Sequence, residues 1–264
     1  IKVEIPDGGD PVRNNGPFAG PGGVHPLPES EQDISTHFIR RNQGVKSITL
    51  NLKHPEGRQI FLALAKKSDV VLENLAPGSM ERMGLGYSDL HEVNPSIVYC
   101  SISGYSQTGP DAHKRAHDPQ IQAMSGMMEI NGDVDRPPTK VGFNISDLVT
   151  PVFACYSILA ALREKERTGL GQYLDASMMD TLVTLMFTEN LQDSVDQGLP
   201  LRVGNLSRNG PTGLYHATDG DITLTVVSDD QWHRLCQALD VPALLEDTRF
   251  ISYQNRIDHV EPAR

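Results

Sequence analysis

Apolar positions fall into regular patterns through the middle of this chain and lose them near its start. Ile1-Lys2-Val3-Glu4-Ile5 alternates like a strand already inside a sheet, so the chain is expected to be a fragment of a longer protein. Residues 6–31 then hold glycine or proline at twelve positions, a density that no helix or central strand tolerates. A connection of that length reads as a functional lid or a disordered segment. From Ser47 the pattern turns regular. Ser47 to Leu52 alternates as a strand, Pro55 to Lys67 puts Ile60, Phe61, Leu64 and Ala65 on one helical face, and Val70 to Asn74 is a short buried strand. Ser88 to Asn94 predicts a helix and Ile97 to Ile102 another strand. Strands alternating with helices imply an α/β fold: an open, mostly parallel, Rossmann-like sheet with helices on both faces.

The second half predicts a long helix from Pro151 to Arg167, with Thr150 as its N-cap and Pro151 at its first position. Gln172 to Ala176 follows as a strand and Ser177 to Gln197 as a second long helix, before a Gly- and Asn-rich connection from Pro200 to Gly213. Ile222 to Val227 and a helix from Trp232 to Leu239 open a smaller α+β domain. The expected division is a large catalytic domain over residues 1–200, and a linker with the start of a small domain over 201–264.

Composition narrows the function. With 264 residues, 38% of them apolar and 22% charged, the chain can bury a sizeable core. A net charge of −11 disfavours nucleic acid and anionic membranes as main partners. No run approaches eighteen consecutive apolar residues and no secretory leader is seen, so a cytoplasmic location is expected. Cys100, Cys155 and Cys236 are far apart and form no CxxC pair, which suggests buried thiols rather than disulfides or a zinc site.

The residue with the most chemical promise is Asp147, which this reading places just ahead of a helix N-terminus. The positive end of a helix favours an ionised carboxylate, the form that can act as a nucleophile. By itself such a residue is more often a turn or cap. Lys53, Arg82 and Arg115 follow predicted strands or loops, where an open sheet places its ligand crevice, although each alone reads more readily as a solvated surface charge. His113 and His117 stand four apart, as helical metal ligands do, but no further ligand completes a set. His117 beside Asp118 is a candidate acid–base pair or simply a histidine at a helix start. Neither GxxxxGK[ST] nor GxSxG occurs, so the chain lacks a P-loop and a serine-hydrolase elbow.

Read together, these segments resemble the class III CoA-transferase family of the CaiB/BaiF type, which includes formyl-CoA transferase and carnitine CoA-transferase relatives. The resemblance is carried by Ser47-Ile48-Thr49-Leu50-Asn51-Leu52-Lys53-His54-Pro55-Glu56-Gly57 and by Asp69-Val70-Val71-Leu72-Glu73-Asn74-Leu75-Ala76-Pro77-Gly78 with Arg82-Met83-Gly84. It continues through Asn94-Pro95-Ser96-Ile97-Val98, Gln122-Ala123-Met124-Ser125-Gly126 and Thr168-Gly169-Leu170-Gly171-Gln172. It implies that Asp147 is the nucleophile. It also implies that coenzyme A is held by Leu50, Asn51, Leu52, Lys53, Asn74, Leu75, Ala76, Arg82, Arg115, Ala116, His117 and Asp118. Cations would meet the CoA phosphates, and Leu50 or Leu75 the adenine.

The implied reaction transfers CoA between an acyl-CoA thioester and a free carboxylic acid, with CoA as substrate, no permanently bound cofactor and no metal. The implied partner is a second copy of the chain, interlocked with the first, and further chain is expected on both sides of residues 1–264. His117 stands where transferases carry a tyrosine-like residue and related racemases a His-Asp pair, so an α-methylacyl-CoA racemase is one alternative. The racemase signature Gly-Asp-Phe-Gly-Gly is here Ser146-Asp147-Leu148-Val149. A CoA-binding subunit without catalysis is another. The acid is left open among oxalate, succinate, carnitine-like and aromatic acids, with oxyanion donors expected near Gly142 or within residues 204–213.

Overall fold

A computed structural model describes residues 1–186, 191–207 and 211–259. Strand β1 (Lys2–Glu4) leads through a 3-10 turn at Pro11–Asn14 to β2 (Phe18–Gly20), β3 (Gly23–His25), β4 (Ile34–Ser35) and helix α1 (Thr36–Arg41). The regular stretch follows as β5 (Ser47–Thr49), α2 (Pro55–Ala65), β6 (Val70–Glu73), α3 (Ser79–Arg82), α4 (Tyr87–Val93) and β7 (Val98–Ser103). Beyond it lie α5 (Asp118–Met124), α6 (Met127–Ile130), the long α7 (Ile145–Thr168), β8 (Tyr173–Ser177), α8 (Met178–Leu185) and α9 (Leu191–Asp196). The last elements are the hairpin β9 (Gly213–Ala217) and β10 (Gly220–Leu224), α10 (Asp229–Ala238), a 3-10 turn at Pro242–Leu245 and α11 (Tyr253–Asp258).

The fold is the expected α/β class. β1 pairs in parallel with β5, β6 in parallel with β7, and the second sheet has the order β6-β7-β8. Antiparallel pairing is seen in the β9–β10 hairpin, in an isolated bridge between Leu206 and Gly213, and between β2 and both β3 and β4. The last of these corrects the reading of residues 6–31. Breakers exclude long elements there, but three-residue strands tolerate them, and buried Phe18 ties the small sheet down. Glu4 fixes the same region. It is buried, accepts Arg13 Nε at 2.8 Å and Nη2 at 2.9 Å, and also bonds Ser47 Oγ and the amide of Asp10. These bonds, Arg13's first, hold the Glu4 carboxyl far below its usual range.

Contacts divide the chain into two compact units, each discontinuous in sequence: residues 1–113 with 152–176, and residues 114–151 with 177–264. A division drawn at residue 200 follows chain order, whereas these units follow packing. The core of the first unit is Ala65, Met80, Leu85, Leu90, Ile97 and Tyr99, with Leu52, Phe61 and Tyr173 against it. Complete burial of a leucine such as Leu85 or Leu90 contributes about 1.5–3 kcal/mol. Gly171 leads into β8 so close to β7 that a Cβ there would stand 1.9 Å from the Ile97 carbonyl oxygen, which only glycine avoids. In the second unit Val226, Trp232, Cys236 and Phe250 cluster, and fully buried Arg256 bonds Asp229 at 2.7 Å and the Phe250 carbonyl at 2.9 Å.

Helix α7 departs most from its sequence pattern. It begins at Ile145, so Thr150 is a buried interior residue rather than a cap, and Pro151 lies inside the helix. Pro151 has no N–H to give the carbonyl four residues earlier, a local cost that a helix of 24 residues can absorb. By length and composition α7 could cross a membrane, even without an unbroken apolar run. Val152, Tyr156 and Leu159 on it are exposed, and so is Cys155, whereas Cys100 and Cys236 are buried. Burial pushes the Cys100 thiol up to about 11.

Candidate active site

Within the first unit, candidate ligand residues follow the C-terminal ends of parallel strands, where open α/β sheets bind ligands. After β5 the backbone turns sharply. His54 N–H reaches the Asn51 carbonyl at 3.0 Å, the Asn51 side chain accepts from Lys53 N–H at 3.1 Å, and α2 starts at Pro55. Gly57 makes the turn possible, because a Cβ there would lie 2.1 Å from the Asn51 carbonyl oxygen. Leu52 packs on the core, leaving Asn51 and Lys53 exposed and Leu50 half-buried.

After β6, Asn74, Leu75 and Ala76 are exposed, and the Leu75 N–H is held by Glu73 Oε2 at 2.7 Å. Burial raises the Glu73 carboxyl above its usual range, Ser101 and Leu75 pull it down, and Glu81 and Asp175 add repulsion. Arg82 is exposed at the end of α3 and folded back on its own loop, with Nη2 donating to Ser79 Oγ at 2.9 Å and Nη1 to the Pro77 carbonyl at 3.3 Å. Met80 of α3 and Leu52 of the β5–α2 turn join the same core cluster. Gln107 steadies the loop by accepting the Gly78 N–H at 3.3 Å, while its own backbone N–H donates to Asp175 at 2.8 Å.

The second unit holds Asp147 in the first turn of α7, exposed, at the helix end that favours negative charge. It thus stands inside the helix rather than ahead of it, and the expected electrostatic setting is retained. The capping group is Asp118. One of its oxygens accepts both the N–H and the Oγ–H of Ser146, each at 2.8 Å, and the other accepts Gln122 Nε2 at 2.7 Å. Gln122 in turn accepts the Val141 N–H at 2.8 Å and donates to the Phe143 carbonyl at 3.3 Å. Asp118, Gln122 and Ser146 are 2%, 0% and 0% exposed, so no water competes for these bonds.

The remaining sequence candidates divide by environment. Arg115 and His117 are exposed and Ala116 is half-buried, all in coil before α5. His113 to His117 forms turn and coil rather than helix, so the four-residue spacing does not place two rings on one face. Among the described residues no three His, Cys, Asp or Glu side chains gather as a metal site. Gly142 is exposed, and the expected donor loop at 204–213 lies partly outside the described residues. The sequence pattern did not single out Gln122 and Ser146 as the partners of Asp118. The available signal was Asp118-Pro119 opening a helix with Gln122 four residues on, a spacing at which Asp and Gln hydrogen-bond.

Comparison with known proteins places this geometry. Residues 1–264 match the family model described as CoA-transferase family III. The chain is 38% identical over 259 residues to acetyl-CoA:oxalate CoA-transferase of Acetobacter aceti, covering 97% of this chain and 64% of that protein. It is 39% identical over 249 residues to succinyl-CoA:mesaconate CoA-transferase of Haloarcula marismortui (92% and 61%). It is 35% identical over 263 residues to succinate–glutarate CoA-transferase of Agrobacterium fabrum (98% and 64%). The chain thus spans somewhat under two thirds of these relatives' length. Among solved structures, a CaiB/BaiF family protein from Brucella suis superposes with a TM-score of 0.79 at 32% identity, covering 99% of this chain and 68% of that one. The Rv3272 protein of Mycobacterium tuberculosis gives 0.81 at 29% identity (100% and 67%).

Proposed function

The chain belongs to CoA-transferase family III, and from that premise we propose that it transfers CoA from an acyl-CoA thioester to a free carboxylic acid, with Asp147 as nucleophile. One observation carries the reading: a carboxylate in the first turn of α7, on a segment held by buried polar bonds. Asp147 attacks the thioester carbonyl, giving an aspartyl mixed anhydride and CoA thiolate. The thiolate attacks the aspartyl carbonyl, so the donor acid leaves with one oxygen from Asp147 and an aspartyl-CoA thioester remains. The acceptor carboxylate displaces CoA to form a second anhydride, and thiolate attack on its acyl carbon releases the new acyl-CoA. The restored Asp147 carboxylate keeps one acceptor oxygen. A thioester replaces a thioester, so no nucleotide triphosphate is consumed.

Lys53, Arg82 and Arg115 are proposed to meet the CoA phosphates, since exposed cations suit a polyanion. Leu50 and Leu75 are proposed for the adenine, with Asn51, Asn74, Ala76, Ala116 and His117 as neighbours. Three similar relatives are named for oxalate, mesaconate or glutarate, which supports a small dicarboxylic acid as acceptor. The exposed apolar residues Val152, Tyr156 and Leu159 of α7 support a second copy of the chain as the covering partner, and a cytoplasmic location is proposed for that homodimer from the sequence pattern. Asp147→Ala in the intact protein is expected to abolish exchange between an acyl-CoA and a panel of carboxylic acids, and substantial residual exchange would refute the assignment.

A further inference from the structure

We propose that Asp118 and Gln122 act together as positioning residues that set the direction in which Asp147 leaves the first turn of α7; this rests on reading Asp147 as the nucleophile. The resemblance would make Asp118 a CoA contact. The structure instead buries its side chain and spends both oxygens inside the protein, on Ser146 and Gln122.

Donor and acceptor identities leave no freedom in this set. A backbone N–H only donates, so the amide oxygen of Gln122 must face Val141. The Phe143 carbonyl accepts, and Asp118 takes the Ser146 donors on its other oxygen, so the amide nitrogen faces both the Phe143 carbonyl and Asp118 Oδ2. Ser146 gives its N–H and its hydroxyl to the same Asp118 oxygen, immediately before Asp147. Residues 141–146 contain no strand or helix before Ile145 and therefore take their path from these bonds. The carboxylate of Asp118 does for α7 what an N-cap side chain does, from a different helix. A nucleophile must approach its carbonyl within a narrow range of angle and distance, so a small change in this path falls on the rate.

The test uses the isosteric change Asp118→Asn in the intact protein. The new amide nitrogen would face the Gln122 amide nitrogen, donor against donor. Turning Gln122 to relieve the clash takes the acceptor from Val141 N–H. We expect kcat to fall about 10–100-fold, with KM for acyl-CoA within about threefold of the parent. Adding Gln122→Glu restores two of the three matches, because one carboxylate accepts both from the amide introduced at position 118 and from Val141 N–H while the bond to the Phe143 carbonyl is lost, and kcat should recover at least about threefold over Asp118→Asn alone. Ser146→Ala removes a single bond, and should lower kcat about 3–10-fold even if Asp118→Asn fails to fold. Parental kcat in both single variants, a raised KM with unchanged kcat, or no rescue by Gln122→Glu would each overturn the proposal. Exchange that survives Asp147→Ala would instead overturn the underlying functional reading, so the two failures are told apart.

Discussion

The ligand loops of the first unit and the nucleophile segment of the second are held by opposite means. After β5 and β6 the path is set by backbone turns, by glycine at a close contact, and by Leu52 and Met80 reaching into the core. Lys53, Asn74 and Leu75 are exposed on that frame, whereas Arg115 and His117, also proposed to meet CoA, belong to the second unit. Ahead of α7 the path is set by buried side chains, Asp118 and Gln122, that bond the loop directly. A flexible phosphate is met by long cations that adjust, so the loop needs only to be in place. A reacting carboxylate needs a fixed angle, and fully satisfied buried polar bonds provide it.

The comparison is broken most severely at Asp147. Asp147→Ala is expected to lower exchange on the order of 10⁴-fold or more, with acyl-CoA binding retained when followed by calorimetry. Arg82→Met in the first unit should do the reverse, raising KM for acyl-CoA about tenfold with kcat nearly unchanged in steady-state assays. If Arg82→Met lowered kcat alone, the division into binding loops and a reacting segment would fail.

How far the sequence foretold this division depends on what sets each path. Ser47 to Gly57 and Val70 to Gly78 carry their strands and turns in local signals, an alternating strand before His-Pro and an apolar run before Pro-Gly. Strand β5, helix α2 and strand β6 lie within a few residues of their expected places, whereas the four-residue α3 is too short to show a period. The start of α7 was misplaced by several residues, because Thr150-Pro151 imitates a cap and the actual capping group is supplied by Asp118, 28 residues away from Ser146. No local pattern reports a cap supplied by another helix. The sheet of β2, β3 and β4 was missed because strands of two or three residues are too short to show a period.

Smaller perturbations sharpen the contrast. Gly57→Val drives a side chain into the Asn51 carbonyl and must move the β5–α2 turn, costing about 1–3 kcal/mol in a denaturation assay and raising KM for acyl-CoA. A kcat loss without a KM change would place that turn in the chemistry. The mildest change is Glu4→Gln, which should reduce stability by about 1–2 kcal/mol at neutral pH, since Arg13 stays partly solvated. Because folding depresses this carboxyl, its contribution is full above the ordinary value of 4.5 and fades as pH falls below it. The melting-temperature gap between parent and variant should therefore be widest at neutral pH and narrow in acid; a gap that widens in acid would contradict the assignment.

The central claim, that Asp147 is acylated in each turnover, is tested most directly by running exchange with an acceptor acid labelled with heavy oxygen and weighing the peptide that contains residue 147. The account predicts that this peptide gains heavy oxygen only when acyl-CoA and acceptor are both present, and that fragmentation places the label on the Asp147 side chain. Full conversion to product with an unlabelled Asp147 would contradict it.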